Sequence, residues 1–442
     1  MGQLSDQTSR AAQHAASPAP LALYLMPGCG TCHQVKGFLE RHHLPVELRW
    51  VTEAEHEAWV REHLVGAGRP LSLPYLLVGE EVLSGYDPAA LRRSLARAGF
   101  QLRDTAAASA AADEADVVLP RPGLWVTNFL DGSLSFIDPR TGARLAPDLP
   151  LGADSNPVSL AQDPASGVVA ISDMGRSCVA FVDGKTGRWL RGDREASSVA
   201  TPKQPCDIVF DARRGRFYIP LVDAGRLAAF DSATGKPLHG DIATSSVEVG
   251  RNAGGLLLDP VADRILLRHG EGVLAVACAE FDGRGPEDRR TFACGPGRNM
   301  ALDAKARRLY VPTFDGTVAY VDADSLDYAF GSAKASCVVV DRTPFTLEVD
   351  PSAGALLVSC MSNQTLHMLD AVAARRLPIG PRALPAAART MCRLGGGVVA
   401  VSAFDENTVV FLDSRTGAPL DGEAGSSRAA TGRGPRGLRP II

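Results

Sequence analysis

Short apolar runs alternate with segments of helical period over residues 21–100, and this alternation predicts four strands and three helices. The strands are expected at Leu21–Met26, Val46–Val51, Tyr75–Val78 and Glu81–Leu83, and the helices at Thr31–Arg41, Glu53–Leu64 and Pro88–Ala98. Asp87 stands where the last helix needs an N-cap, and Pro88 suits its first turn. The order β-α-β-α-β-β-α indicates a small α/β domain.

A different pattern begins at Leu124, where units of strand, polar turn and strand repeat to the end of the chain. Copies begin near residues 124, 168, 217, 265, 309, 356 and 399, at a spacing of about 42–48 residues. The copy near Ile265 is the most degenerate. Seven copies at this spacing predict an all-β, seven-bladed propeller over residues 121–442.

Aspartates recur at fixed places in these copies. One set ends the second strand of a copy, at Asp138, Asp183, Asp231, Asp322, Asp370 and Asp413. A second set ends the strand before a copy, at Asp163, Asp211, Asp259, Asp303 and Asp350. Aspartate caps tight turns by accepting hydrogen bonds from nearby backbone N–H groups, so a structural role is predicted for both sets.

The first copy has no inner strand before it. The segment Gly434-Pro-Arg-Gly-Leu-Arg-Pro440 is similar to the inner-strand starts at Asn156–Leu160 and Gln204–Ile208. We therefore expect the C-terminal segment to complete the first blade, which would close the ring and cover two sheet edges.

Composition and charge narrow the classes of function. The net charge of −4 does not favour a nucleic-acid partner, and no apolar run reaches the length of a membrane span. Residues 1–20 are polar, contain no signal-peptide core and are expected to be disordered, and residues 101–120 resemble a linker. These features predict a cytoplasmic protein, without a membrane partner, in a reducing compartment.

Two of the nine cysteines form the motif Cys29-Gly30-Thr31-Cys32, between the first strand and the first helix. A helix N-terminus favours thiolate over thiol, and the second sulfur lies one turn away, so the pair is interpreted as an enzymatic redox couple. The alternative is a metal-binding or vestigial pair, but no further ligands stand at a zinc spacing, and no metal is expected. The other seven cysteines are scattered and are interpreted as small buried or half-buried residues.

Residues 21–100 resemble the glutaredoxin family, which has the thioredoxin-like fold, at three places: Cys29-x-x-Cys32, Ser72-Leu73-Pro74 and Gly85-Tyr86-Asp87. The resemblance implies that Cys29 attacks a disulfide and that Cys32 resolves the mixed disulfide. It also implies that the backbone of Leu73, before a cis Pro74, pairs with glutathione or a peptide. Gly85, Tyr86 and Asp87 would hold the γ-glutamyl end of glutathione. The alternative for Pro74 is an ordinary proline at the start of a strand, and the alternative for Asp87 is a helix N-cap without a role in ligand binding.

Two departures leave the electron donor open. Met26 replaces a lysine that glutaredoxins use for a glutathione carboxylate. Ser84-Gly85-Tyr86 followed by Pro88 is also similar to the redoxins that take electrons from thioredoxin reductase, although those carry arginine where Asp87 stands. Glutathione is therefore a candidate co-substrate, and thioredoxin reductase is the alternative. His33, His42 and His43 are expected to be solvated and are given no catalytic role.

Trp125-Val126-Thr127-Asn128 and Ser133–Asp138 make residues 121–442 similar to YVTN-type propellers, a class with many functions. No catalytic constellation is recognised there. Arginines stand near the starts of later inner strands, at Arg251, Arg298, Arg342 and Arg389. They could bind an anion or an acidic partner in the channel, but they do not share one register, so some could instead be solvated.

The sequence thus predicts a multidomain chain in which an α/β thioredoxin-like domain precedes an all-β propeller. The main functional hypothesis is a thiol–disulfide oxidoreductase acting on a disulfide-containing protein or a glutathione mixed disulfide. In it the propeller holds a protein or anionic ligand near the redox site. The alternative is a propeller scaffold or sensor with a regulatory redoxin unit. A lactonase-like propeller enzyme is a third possibility, which no residues support.

Overall fold

A computed structural model of the chain describes residues 20–26, 29–67, 73–102, 123–152, 154–202, 204–284, 289–420 and 427–441. The expected disorder of residues 1–20 and the expected linker at 101–120 fall almost entirely outside the described residues. The chain divides into two compact units, residues 1–104 and residues 105–442.

The described residues of the first unit form four strands and three α-helices in the predicted order. They are β1 (Leu21–Leu25), α1 (Gly30–Arg41), β2 (Glu47–Trp50), α2 (Ala54–Val60), β3 (Tyr75–Val78), β4 (Glu81–Ser84) and α3 (Pro88–Arg97). The second helix departs from the prediction, because a π-helical turn at Arg61–Val65 follows α2. There the Gly66 N–H donates to the Arg61 carbonyl at 2.9 Å, five residues back.

The sheet of the first unit has the strand order β2-β1-β3-β4. β1 pairs in parallel with β2 and antiparallel with β3, and β3 pairs antiparallel with β4. Leu23 of β1 packs with Phe38 of α1 and Leu95 of α3, whereas Tyr24 stacks on Trp59 of α2 with ring centroids 4.6 Å apart. Both faces of β1 are therefore covered, which explains its continuous apolar sequence.

In the part of the second unit that the structure describes, the strands form seven four-stranded antiparallel sheets, here called blades 1 to 7. Blade 1 contains β5 (Gly123–Asn128), β6 (Ser133–Ile137), β7 (Arg144–Pro150) and β32 (Pro435–Ile441). Blade 2 contains β8 (Pro157–Gln162), β9 (Val168–Asp173), β10 (Cys178–Asp183) and β11 (Ser198–Ala200). Blade 3 contains β12 (Val209–Asp211), β13 (Arg216–Leu221), β14 (Arg226–Asp231) and β15 (Ser246–Glu248). Blade 4 contains β16 (Leu256–Asp259), β17 (Arg264–His269), β18 (Gly272–Ala277) and β19 (Thr291–Ala293).

The remaining blades follow the same plan. Blade 5 contains β20 (Ala301–Asp303), β21 (Arg308–Thr313), β22 (Thr317–Asp322) and β23 (Cys337–Val339). Blade 6 contains β24 (Pro344–Asp350), β25 (Ala355–Cys360), β26 (Thr365–Asp370) and β27 (Arg382–Ala383). Blade 7 contains β28 (Ala388–Gly395), β29 (Val398–Ala403), β30 (Thr408–Asp413) and β31 (Arg428–Ala430). Short helices at Cys278–Asp282, Ala333–Ser336 and Phe404–Glu406 connect strands.

The blades form a closed ring. One edge strand of each blade is innermost, and these strands are β32, β8, β12, β16, β20, β24 and β28. Each innermost strand contacts the innermost strand of the next blade, and β28 contacts β32, which contacts β8. The seven repeats predicted from the sequence therefore correspond to seven blades around one axis.

Blade 1 is assembled from both ends of the unit. β32 pairs antiparallel with β5, from Pro435 opposite Asn128 to Ile441 opposite Gly123. Leu438 and Ile441 are both buried beneath this pairing. The C-terminal segment thus supplies the innermost strand of a blade whose other three strands lie at the start of the unit.

The repeated aspartates stabilise turns, as predicted. Each accepts at least one backbone N–H from a residue two or three positions later; Asp183 accepts from Lys185 N at 2.7 Å and Thr186 N at 2.9 Å. Some also link blades, since Asp350 of blade 6 accepts from Ser414 Oγ of blade 7 at 2.6 Å. None of the described helices is long and apolar enough to cross a membrane.

Candidate functional site

Cys29 and Cys32 form a disulfide at the start of α1, with their Cα atoms 5.2 Å apart. Cys29 is the N-cap residue of α1, and its Sγ accepts a hydrogen bond from Cys32 N at 3.1 Å. Cys29 is partly exposed, whereas Cys32 is completely buried. A disulfide with one accessible sulfur and one enclosed sulfur directs an incoming thiolate to Cys29.

The helix start also determines which charge state suits the reduced pair. In the dithiol form, Sγ of Cys29 would remain at the positive end of α1 and beside the Cys32 N–H. Both features stabilise a thiolate relative to a thiol. The arrangement therefore suits a thiol that must leave and attack repeatedly.

The structure brings the predicted Leu73-Pro74 turn to the cysteine pair. Cys29 Sγ lies 3.9 Å from the Leu73 carbonyl oxygen, and the peptide bond between Leu73 and Pro74 is cis. Gly85 N donates to the Pro74 carbonyl at 3.1 Å, because β3 and β4 pair immediately beyond these residues. The turn and the following Gly85 segment therefore lie side by side.

The segment Gly85-Tyr86-Asp87 serves local structure as well. Gly85 has a φ of +73°, a conformation that residues with a Cβ rarely adopt. Tyr86 packs in the same apolar cluster as Cys29 and Leu73. Asp87 is exposed, and its Oδ1 accepts from Ala89 N at 3.0 Å and Ala90 N at 3.1 Å. Asp87 is therefore the N-cap of α3, as its position before Pro88 predicts.

Two of the three histidines near the motif are not solvated, contrary to expectation. His33 and His42 are buried, and only His43 of the three is exposed. His33 Nδ1 lies 2.7 Å from the Cys29 carbonyl oxygen, and the His42 ring lies 4.6 Å from that of Phe38. Both side chains are therefore enclosed by the fold, although their polar character alone predicts exposure.

The channel arginines divide into two groups. Arg298 and Arg389 line a cavity of about 130 Å³ at the centre of the propeller, whereas Arg251 and Arg342 are exposed and are not among its lining residues. The cavity is also lined by Arg436 and Arg439 of β32, which were not predicted as channel arginines. The sequence could have indicated them, because both arginines belong to the C-terminal segment that was predicted to be an inner strand.

One cluster of potential metal ligands was not found from the sequence. Asp211, Asp263 and Cys278 lie close enough together to share an ion. However, Arg214 donates to Asp263 Oδ2 at 2.7 Å and lies 3.5 Å from Asp211, so a guanidinium already supplies the positive charge. Burial also raises the pKa of the Cys278 thiol to about 12, which disfavours the thiolate that binds metals.

Comparison with known proteins bears on the fold. No protein-family model matches the chain, and no curated protein does. A solved structure from Bacteroides fragilis, provisionally assigned as a 6-phosphogluconolactonase, aligns with a TM-score of 0.54 and 14% identity, over 73% of this chain and 98% of its own. Virginiamycin B lyase from Staphylococcus aureus aligns with a TM-score of 0.44 and 11% identity, over 60% of this chain and 83% of its own. A chain of a nidogen/laminin complex aligns with a TM-score of 0.43 and 13% identity, over 72% of this chain and 98% of its own.

The similarity to the Bacteroides fragilis structure, at 14% identity, concerns the fold alone. It agrees with the seven four-stranded sheets whose innermost strands form a closed ring. Fold and topology together define the chain as a β-propeller protein.

Proposed function

We propose that this chain is a β-propeller scaffold whose N-terminal unit is a glutaredoxin-like regulatory module. The propeller, which we assign to the YVTN type, binds a partner or ligand, and the oxidation state of Cys29 and Cys32 controls that binding. The observation that carries this proposal is the size and completeness of the ring, because seven closed blades provide a rigid binding surface.

The regulatory step is a two-electron exchange. A reduced dithiol, or two molecules of glutathione, would attack the Cys29–Cys32 disulfide and become a disulfide, leaving two thiols on this chain. Access to Cys29 Sγ and the enclosure of Cys32 support this direction of attack. Leu73, Pro74, Gly85, Tyr86 and Asp87 are proposed to position the attacking molecule, because the turn lies 3.9 Å from Cys29 Sγ.

A second candidate is catalysis by the same pair. The chain would then be a thiol–disulfide oxidoreductase, in the cytoplasm, that reduces a protein disulfide or a glutathione mixed disulfide while the propeller holds the substrate. The position of Cys29 as N-cap, accepting from Cys32 N at 3.1 Å, favours this candidate. Glutathione or thioredoxin reductase would supply the electrons.

Capture of partners from a lysate distinguishes the two candidates. Three baits are compared by quantitative mass spectrometry. They are the oxidised chain, the Cys29→Ser/Cys32→Ser variant, which cannot form the disulfide and mimics the reduced pair, and the Cys32→Ser variant. If the module is regulatory, the oxidised and double-variant baits retain different partners without a covalent bond. If the chain is an oxidoreductase, Cys32→Ser retains substrates through Cys29, and a reducing agent releases them.

A turnover assay provides the matched control. Reduction of a glutathione mixed disulfide is coupled to glutathione reductase or to thioredoxin and its reductase. Cys29→Ser should abolish any turnover, and Cys337→Ser, at a half-buried thiol of the propeller, should leave it unchanged. Sustained turnover with either donor would reject the purely regulatory proposal. Partner sets that are identical in all baits would reject both candidates.

A further inference from the structure

The channel cavity of about 130 Å³ is lined by segments from all seven blades. Among the described residues, its charged lining consists of Arg298, Arg389, Arg436, Arg439, Asp207 and Glu348. Four guanidinium groups against two carboxyl groups give the cavity an excess of positive charge. The local charge of the cavity is thus opposite in sign to the net charge of the chain, which is −4.

Arg389 is the most enclosed of these arginines, with 6% of its surface exposed. Its guanidinium carbon lies 4.8 Å from the Phe404 ring centre and 5.5 Å from that of Phe345. Its Nη1 lies 3.8 Å from Met361 Sδ, and its Nε has no hydrogen-bond partner among the described residues. A buried guanidinium surrounded by rings and a thioether lacks the oxygen acceptors that such a group requires.

The other arginines face the same space. The Arg436 guanidinium lies 4.8 Å from the centre of the Phe129 ring. A Cβ atom at Gly254 would come within 2.5 Å of Arg298 Nη1, so the glycine leaves room for that guanidinium. Within the described part of the chain, Arg298, Arg389 and Arg436 form no ion pair with a carboxylate.

The mutual influence of these groups shows their proximity. Burial lowers the pKa of Arg389, and Arg436 and Arg298 act in the same direction while Asp405 opposes them, with a result of about 9. Burial also lowers the pKa of Arg436. The like charges therefore repel one another, while Asp405 favours the charge on Arg389 and Asp207 favours the charge on Arg436.

Burial disfavours the charged form of the two acidic side chains that line the cavity. Burial raises the pKa of Asp207, and it raises the pKa of Glu348 to about 7. A carboxyl group that retains its proton near neutral pH donates a hydrogen bond and carries no charge. Glu348 therefore loses its negative charge as the pH falls below about 7, which increases the excess of positive charge in the cavity.

We propose that this cavity binds a small oxyanion, a phosphate or carboxylate group, through the guanidinium N–H groups of Arg298, Arg389 and Arg436. Guanidinium groups present planar pairs of donors that match the oxygens of both anion types. The bound anion would supply oxygen acceptors and negative charge to the buried Arg389 and to the half-buried Arg298 and Arg436. This site does not depend on the redox module, so Cys29→Ser should bind the anion as the natural chain does.

Isothermal titration calorimetry on the full chain tests the site with two probes, inorganic phosphate and malonate, in chloride buffer of matched ionic strength. At least one probe should bind saturably, and the tighter one identifies the anion class. Arg389→Met and Arg436→Met, which keep side-chain length but remove the charge, should each weaken that affinity at least tenfold. Arg251→Met and Arg342→Met are the matched controls, because these exposed arginines lie outside the cavity.

Arg389→Lys decides the matter if a methionine variant does not fold. It keeps the charge but loses the planar donor pair, so affinity should fall while the circular dichroism spectrum stays unchanged. Absence of saturable binding of both probes to the natural chain would overturn the proposal. Equal binding by the channel variants and the two controls would overturn it as well, because the anion would then lie elsewhere.

Discussion

Glu348 shows how the propeller alters the chemistry of a single side chain. It belongs to β24 and lines the channel, where burial raises the pKa of its carboxyl to about 7. Asp350 raises that pKa further, and Arg439 and Arg393 oppose the rise. The carboxyl group therefore changes charge near neutral pH. In the unfolded chain it would do so at the ordinary pKa of glutamate, about 4.3.

This difference predicts a pH-dependent stability. Between about pH 4.5 and about pH 7 the folded state holds a proton that the unfolded state has released, so raising the pH lowers the free energy of unfolding. Glu348→Gln removes this contribution. The variant should gain stability relative to the natural chain as pH rises, by at most ~1.4 kcal/mol per pH unit. Urea unfolding at several pH values measures the difference.

A matched control separates this effect from other titrations. Glu248→Gln changes an exposed glutamate in an outer strand and should follow the pH profile of the natural chain. Parallel profiles for Glu348→Gln and the natural chain would show that Glu348 does not titrate as inferred.

Single residues were predictable where their chemistry is local. Cys29 and Cys32 are recognisable because three residues of sequence place both at one helix start. Arg436 and Glu348 could not be predicted as neighbours. They are about 90 positions apart in the sequence, and their segments meet in one cavity only because the ring is closed. Arg251 and Arg342 show the converse problem, because both lie in the exposed connections before β16 and β24 rather than within those strands.

At the level of elements, β32 has the largest structural role for its length. It pairs with β5, and it contacts β8 and β28 of both neighbouring blades. Leu438 packs with Leu124 and Val126, and Ile441 packs in a different cluster with Trp125. One strand therefore joins the packing of blade 1 to the packing on both sides.

Loss of this strand should destabilise the propeller strongly. Leu438→Ala should lower the free energy of unfolding by about 2–5 kcal/mol, as other buried leucines do. Ending the chain after Gly422 should lower the melting temperature much further, because β5 would become an unpaired edge. Calorimetric or circular-dichroism melting measures both effects.

Val339→Ala is the appropriate comparison, because Val339 is 68% exposed in the outer strand β23. It should change the free energy of unfolding by less than about 0.5 kcal/mol. If the truncated chain melts like the natural chain, β32 does not hold the ring together.

Elements were more predictable than single residues, because the repeat supplied the same pattern seven times. Tight turns capped by Asp183 or Asp413 mark strand ends in the sequence itself. The π-helical turn after α2 had no such mark, since its residues continue an ordinary helical pattern. The burial of His33 and His42 was missed for a related reason, namely that helical period alone does not say which polar residues become buried.

At the scale of the whole molecule, the two units have separate cores. One set of apolar clusters contains Leu23, Phe38 and Tyr24 of the first unit, and the others lie within the blades. Each cluster draws its buried members from one unit. Two compact units of this kind are expected to fold independently.

Expression of residues 20–102 and residues 123–442 as separate proteins tests this expectation. The small protein should keep the reduction potential of the Cys29–Cys32 pair, measured against glutathione buffers. The large protein should keep its β-sheet circular dichroism and the anion affinity of the full chain. An unfolded fragment, or a changed potential or affinity, would show that the units depend on each other.

The pairing of Gly123 with Ile441 has a further consequence. Residues that pair across a sheet have Cα atoms only about 5 Å apart, so Gly123 and Ile441, the first and last described residues of the ring, nearly meet. A linker of a few residues could join them, and new termini could be opened at a turn between any two other blades. Such circular permutants should retain the closed ring, although the order of the strands along the chain changes. Blade 1 would then be built from one continuous segment, and the blade at the new termini could be completed by both ends of the chain.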